Sequence, residues 1–176
     1  MTTIFIVGSS NDCELEYLIK SRLSESYEIS YIRGDSFLEA GAGYNLIVFE
    51  NESPMINAAS GIVLVKENGA VPKNLPKGII AIINADDENQ LKDVQEKHVP
   101  VITCGTPDTS TISCTSETEE MLMISLNRSL KALSGRTIEP LEIPVEKGSA
   151  GRYSLMSYTA LRLLLDDFNS ELGNLI

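Results

Sequence analysis

The chain has 176 residues, 43% hydrophobic and 22% charged, which is ordinary for one globular domain with a real core. Twenty-five Asp and Glu against 14 Lys and Arg give a net charge of −11, and the basic residues are scattered singly. Such a surface repels polyanions and argues against DNA, RNA or an anionic membrane as partner.

The start, Met1 to Gly8, lacks a basic leader region, so no signal peptide is expected. No apolar run approaches the roughly 20 residues that span a bilayer. Cys13, Cys104 and Cys114 match no zinc spacing and read as free thiols of a reducing cytoplasm. His98 is the only histidine, which argues against a histidine-based triad and against any multi-histidine metal site.

Thr3 to Val7 is a short apolar run ending at Gly8 and reads as a buried strand. Asn11 or Asp12 is placed to cap a helix with Leu15, Leu18, Ile19 and Leu23 on one face. Tyr27 to Ile32 reads as a second strand. Gly34 to Gly43 reads as a loop that has room for a short helix around Ser36 to Ala40. Asn45 to Glu50, Gly61 to Val65 and Gly78 to Asn84 are further strands. These runs are continuously hydrophobic rather than alternating, the mark of a parallel sheet covered on both faces. A helix from Asp87 to Lys97 and a strand from Val99 to Cys104 follow, closed by Gly105.

The pattern changes after that glycine. Thr109 to Ser116, Leu122 to Asn127 and Thr137 to Val145 alternate or are held extended by proline, and predict a small antiparallel sheet with one wet face. Leu130 and Leu133 are also compatible with a short helix. Arg152 to Leu172 reads as a final helix. The expectation is a single domain over 1–176: a three-layer α/β fold with a mostly parallel sheet over 1–107, then an antiparallel extension and the last helix over 108–176.

Three segments are candidates for chemistry. Gly8, Ser9, Ser10 and Asn11 follow the first strand, where nucleotide-binding α/β folds hold phosphate on free backbone N–H groups. A P-loop also needs Gly-Lys-Ser/Thr at its end, and Cys13, Glu14 and Leu15 stand there instead. The segment reads otherwise as an ordinary strand-to-helix turn. Asn84, Asp86 and Asp87, with Gly105 one strand later, lie where a crevice ligand or magnesium would sit, or else cap the next helix. Glu50, in Glu50-Asn-Glu52, is a metal ligand or solvated charge.

Ile83 to Asp87, a helix, and then Pro100 to Gly105 resemble a segment of the central, ATP-binding domain of the Mur ligases. The order of elements is similar over nearly the whole chain. The resemblance implies a P-loop at Gly8 onward, a magnesium-binding glutamate at Glu50 and an adenine-side helix from Arg152. It also marks the losses: no P-loop lysine or threonine, Tyr153 and Ser154 in place of a helix-leading His-Asn, and Ser157 nearest to an adenine-contacting asparagine. Nothing in the sequence corresponds to the family's substrate domain or C-terminal domain, so ligation by this chain alone is not expected. Two functions follow. One is a non-catalytic binding or interaction module without cofactor, whose protein or small-molecule partner the sequence does not name. The other is a nucleotide-dependent enzyme or subunit, using Mg-ATP with a cation from a partner chain. Arg33 and Lys73 are the internal candidates for that cation, though nothing in the sequence places them near Gly8. Exposed edges of the antiparallel strands also invite a homodimer.

Overall fold

Continuous apolar runs that cannot turn a wet face to solvent dictate a sheet buried between layers, and the computed structural model, which describes residues 1–168, has this form. In chain order it contains β1 (Thr2–Val7), α1 (Glu14–Ser21), β2 (Tyr27–Arg33), β3 (Ser36–Ala40), β4 (Tyr44–Asn51), β5 (Gly61–Val65) and β6 (Ile79–Asn84). Then come α2 (Glu88–Gln95), β7 (Val101–Cys104), β8 (Ile112–Glu117), β9 (Met121–Leu126), β10 (Leu130–Lys131), β11 (Thr137–Ile138), β12 (Leu141–Glu146) and α3 (Arg152–Leu164).

Ten strands form one sheet in the order β12-β9-β8-β7-β6-β5-β1-β4-β2-β3, and β10 pairs with β11 separately. Strands β2, β4, β1, β5, β6, β7 and β8 run parallel, and β3, β9 and β12 are antiparallel additions at the two ends. The antiparallel extension is therefore mostly continuous with the main sheet.

Helices α1 and α3 cover one face. Leu15, Leu18 and Ile19 of α1 join Ile4, Ile6, Leu46, Val48 and the buried residues of α3 in the larger core. Each such side chain, fully buried, contributes about 1.5–3 kcal/mol. The other face has a smaller core of Val7, Val63, Val65, Ile83 and Val94, covered by α2 and by loops.

Helix α3 is buried from Tyr153 to Leu164, and its polar groups are satisfied internally. The Thr159 hydroxyl donates to the Leu155 carbonyl, and Arg162 donates to the Asp167 carbonyl and the Tyr158 hydroxyl.

Several boundaries differ from the sequence expectation. Ser36 to Ala40 is a strand hairpinned onto β2, neither loop nor helix. Leu130 is in a strand rather than a helix. The expected strand from Thr137 to Val145 breaks at Glu139-Pro140 into β11 and β12. The final helix stops at Leu164, where Asp166 takes a positive φ of 60° and Arg136 pairs with its carboxylate at 2.5 Å. The part of that helix expected over 169–172 lies outside the described residues. Neither Asn11 nor Asp12 is the N-cap of α1; Cys13 holds that position with no side-chain cap, and the Asp12 carboxylate accepts from the Glu14 N–H.

Burial sets one pH dependence. It raises the Tyr27 phenol, helped by Asp167, to about 12, and it raises Tyr158 despite Arg162 beside it. It also holds Tyr153 well above the ordinary value of 10. A raised value favours the protonated phenol in the folded state. The stability it contributes is full below pH 10 and is lost as the pH rises above that value, where the unfolded chain releases its protons first. The urea midpoint should therefore fall steeply above pH 10. With the exposed Tyr17 and Tyr44 changed to Phe, ionisation of Tyr27, Tyr153 or Tyr158 in a chain that stays folded would contradict this burial.

Candidate functional site

Strand β1 lies where the parallel order turns back, with β4 on one side and β5 on the other, so the crevice that binds ligands in open α/β sheets opens beyond Val7. The ends of the three strands are tied together: the Gly8 N–H donates to the Asn51 carbonyl and the Lys66 N–H to the Val7 carbonyl. Gly8 has a φ of +144°, and a Cβ there would stand 2.7 Å from Lys66 Cβ. Only glycine lets the chain pass this close.

Lys66, the residue after β5, lies beneath the Gly8–Asp12 loop and is 1% exposed; beside that loop a cavity of about 440 Å³ is lined by Gly8, Ser10, Arg33, Glu50 and Glu52. Its ammonium uses all three donors: to the Ser9 carbonyl at 2.7 Å, to the Asp12 carbonyl, and to Glu50 Oε1 at 2.5 Å. Glu50, at the end of β4, is buried too, and its Oε2 accepts from the Tyr31 hydroxyl at 2.5 Å. Burial and that hydrogen bond push the Tyr31 phenol far above its ordinary range. Arg33 approaches the same carboxylate at 3.9 Å and donates to the Ser10 carbonyl and to Glu16. Burial of Glu16 works against its ionisation, but Lys20 and Arg33 prevail and lower its carboxyl.

The loop from Gly8 to Asp12 thus turns carbonyl oxygens toward a cation, the opposite polarity to a loop that cradles phosphate with N–H groups. Ser10 donates from both its N–H and its hydroxyl to Glu52, and the Asn11 N–H donates to the Ser9 hydroxyl. Glu14 is also accounted for. Its carboxylate accepts from the Gly151 N–H at 2.8 Å, at the electropositive start of α3.

Asn84, Asp86, Asp87 and Gly105 form a separate cluster at the ends of β6 and β7, and each has a structural partner. Asp87 caps α2 by accepting from the Asn89 and Gln90 N–H groups. Asp86 accepts from the Thr106 N–H and hydroxyl. The Asn84 side-chain Oδ1 accepts from the Asp86 N–H. Gly105 is required by close approach, since a Cβ would meet that of Ala85 at 2.9 Å. Gln90, buried in α2, donates to the carbonyls of Lys66, Glu67 and Gly69 and so fixes the backbone that carries Lys66. Among the described residues, no group of three or more His, Cys, Asp or Glu is arranged to hold a metal.

The start of α3 is closed as well. The Tyr153 hydroxyl donates to the Val65 carbonyl at 2.5 Å. Ser154 and Ser157 are buried, the second donating to the carbonyl of the first.

Lys66, Tyr31, Gln90 and Tyr153 carry this arrangement, and the sequence reading gave a site role only to the position of Tyr153. The available signal was a lone lysine ending an apolar parallel strand. Of the two cations nominated instead, Arg33 does reach the loop, whereas Lys73 is exposed and its carbonyl accepts from Lys97.

No protein-family model and no curated protein matches the sequence. Solved structures do match. One is a UDP-N-acetylmuramoyl-L-alanyl-D-glutamate–2,6-diaminopimelate ligase, with a TM-score of 0.57 and 11% identity, covering 96% of this chain and 44% of that one. Another is a murein peptide ligase from Psychrobacter arcticus 273-4, with a TM-score of 0.54 and 10% identity, covering 93% of this chain and 44% of that one. The chain spans less than half the length of either ligase. The resemblance in the order of elements holds for the fold, which is Mur-ligase-like.

Proposed function

We propose that this chain is a non-catalytic binding or interaction module on a degenerate Mur-ligase-like nucleotide scaffold. The observation that carries the proposal is the buried Lys66 ammonium inside the Gly8–Asp12 loop. A nucleotide triphosphate needs inward N–H donors, an uncommitted cation and a carboxylate for magnesium. Here the loop carbonyls face inward, the cation is consumed within the fold, and both oxygens of Glu50 are engaged. The same reading keeps the protein in the cytoplasm, which three free cysteines support. No described helix is long and apolar enough to cross a membrane.

Thermal denaturation with magnesium and a panel of nucleotides, UDP-sugars included, tests the proposal directly. A ligand that binds the folded state raises its melting temperature. The expected result is no shift with any of them. A saturable rise with one nucleotide overturns the proposal in favour of a nucleotide-dependent enzyme or subunit.

If Lys66 is a structural ion, removing it alone leaves Glu50 buried and uncompensated. Lys66→Met should cost about 3–5 kcal/mol by urea denaturation. Lys66→Met combined with Glu50→Leu should cost less than the sum of the two single changes. A neutral Lys66→Met would mean that the lysine is available to a ligand.

Reinstalling P-loop residues should not rebuild a phosphate site. Glu14→Lys removes the acceptor of the Gly151 N–H, worth about 1 kcal/mol, comparable to loss of a helix cap. Leu15→Thr places a hydroxyl at a fully buried position, at a cost of about 1–3 kcal/mol. The double variant is expected to be less stable and still unresponsive to Mg-ATP; a nucleotide-dependent shift in it would show that the scaffold still holds phosphate.

A further inference from the structure

The two edges of the main sheet are built differently. At one end, β12 carries Pro144 within the strand, Pro140 just before it, and exposed Glu142 and Glu146. Proline cannot donate to an incoming strand, and charge discourages one, so this edge is protected. At the other end, β3 reads Ser-Phe-Leu-Glu-Ala. It has no proline, no lysine and one charge, and among the described residues no strand pairs with its outer side.

Strand β3 also offers apolar groups on both faces. Leu38, 40% exposed, lies opposite Tyr31 on the face of α1, beside a groove lined by Glu16, Lys20, Tyr31 and Arg33. Phe37, 61% exposed, lies on the other face opposite Ile32. That face continues inward in register through Ile32, Phe49 and Phe5, with the two phenylalanine rings stacked at 5.8 Å. The β4-to-β5 connection is a loop without a helix, and Phe49 is left 37% exposed.

The cations beside this edge, Lys20 and Arg33 on the α1 face, are both paired with Glu16. From Gly34 to Val65 there is no Lys or Arg, while Asp35, Glu39 and Glu52 are exposed. A second copy of this chain would bring the same carboxylates and another −11 to the contact.

We propose that the free edge of β3 receives an extended segment of a partner protein as an eleventh strand of the main sheet, and that this segment alternates apolar residues with Lys or Arg. Main-chain hydrogen bonds to Ser36–Ala40 supply the affinity. The apolar residues pack beside Leu38 and Ala40. The cations lie on the opposite face, across from Glu39 and over the ring of Phe37. This deepens the reading of the chain as an interaction module and rests on it.

The probe is a fluorescent peptide of about ten residues alternating Val and Lys, at the upper end of strand lengths. It is compared with a Val–Glu alternation and with a peptide of the same composition in which Val and Lys are blocked. Anisotropy at low salt is expected to show the Val–Lys alternation binding about tenfold or more tightly than either control, about 1.4 kcal/mol. Hydrogen exchange should then slow at the amides of Ser36–Ala40. The double variant Phe37→Lys/Leu38→Lys, with both changes at exposed positions, is expected to lose that binding while keeping its circular dichroism and melting temperature. Equal binding of the alternating and blocked peptides, or protection away from β3, overturns the proposal. So does a concentration-dependent dimer of the peptide-free protein that the double variant abolishes, which assigns the edge to a second copy. The nucleotide titration is read separately: a peptide failure without a nucleotide shift removes only the strand proposal, whereas a nucleotide shift removes the reading beneath it.

Discussion

The fold closes around one buried charge. Lys66 and Glu50 meet at 2.5 Å with both side chains 1% exposed. Removing two ions from water costs several kcal/mol apiece, and the interior tolerates them only if every donor and acceptor is met. That requirement dictates the geometry nearby. It turns the Ser9 and Asp12 carbonyls inward, brings the Tyr31 hydroxyl onto the second oxygen of Glu50, and demands glycine at position 8 so that the lysine stem can pass. Gln90 then holds the backbone of Lys66 from the far side of the sheet. Three strand ends, two loops and α2 are coupled through one ammonium group.

The same interaction explains how the crevice tolerates acidic residues where a P-loop has lysine. Position 14 faces the start of α3, where exposed N–H groups create positive potential, so a carboxylate is favourable and a lysine would not be. Position 66 enters the crevice from β5 and supplies the positive charge from a different strand. The positive charge of this region comes from the end of β5, and its partners are internal. The carboxylate at position 14 is locally balanced in space.

Legibility followed sequence distance. The strand Gly61–Val65 was readable to the residue because a short apolar run bounded by Gly and Lys carries its own limits. The capping role of Asp87 was readable because its partners are two and three residues away. Lys66 was not, because its partners lie 16, 54 and 57 residues earlier and no local pattern joins them. Ser36 to Ala40 was misread because its strand character comes from pairing with β2 and not from its own alternation. The break at Glu139-Pro140 carried a proline signal that was taken to hold one strand open, when it separates two.

A parallel sheet normally has a crossover helix over each connection, and that helix both buries one face and shields the outer strands. Here the β4-to-β5 connection crosses without one, and the apolar row from Phe5 to Phe37 is only partly covered. The β12 edge bears proline and paired glutamates, so the sequence does contain the means to close an edge. Their absence from β3 leaves its backbone and its two apolar side chains available together. With the Lys66 ammonium and the Glu50 carboxylate committed to each other, the β3 edge offers unpaired backbone beside apolar side chains at the end of the sheet, away from its switch point.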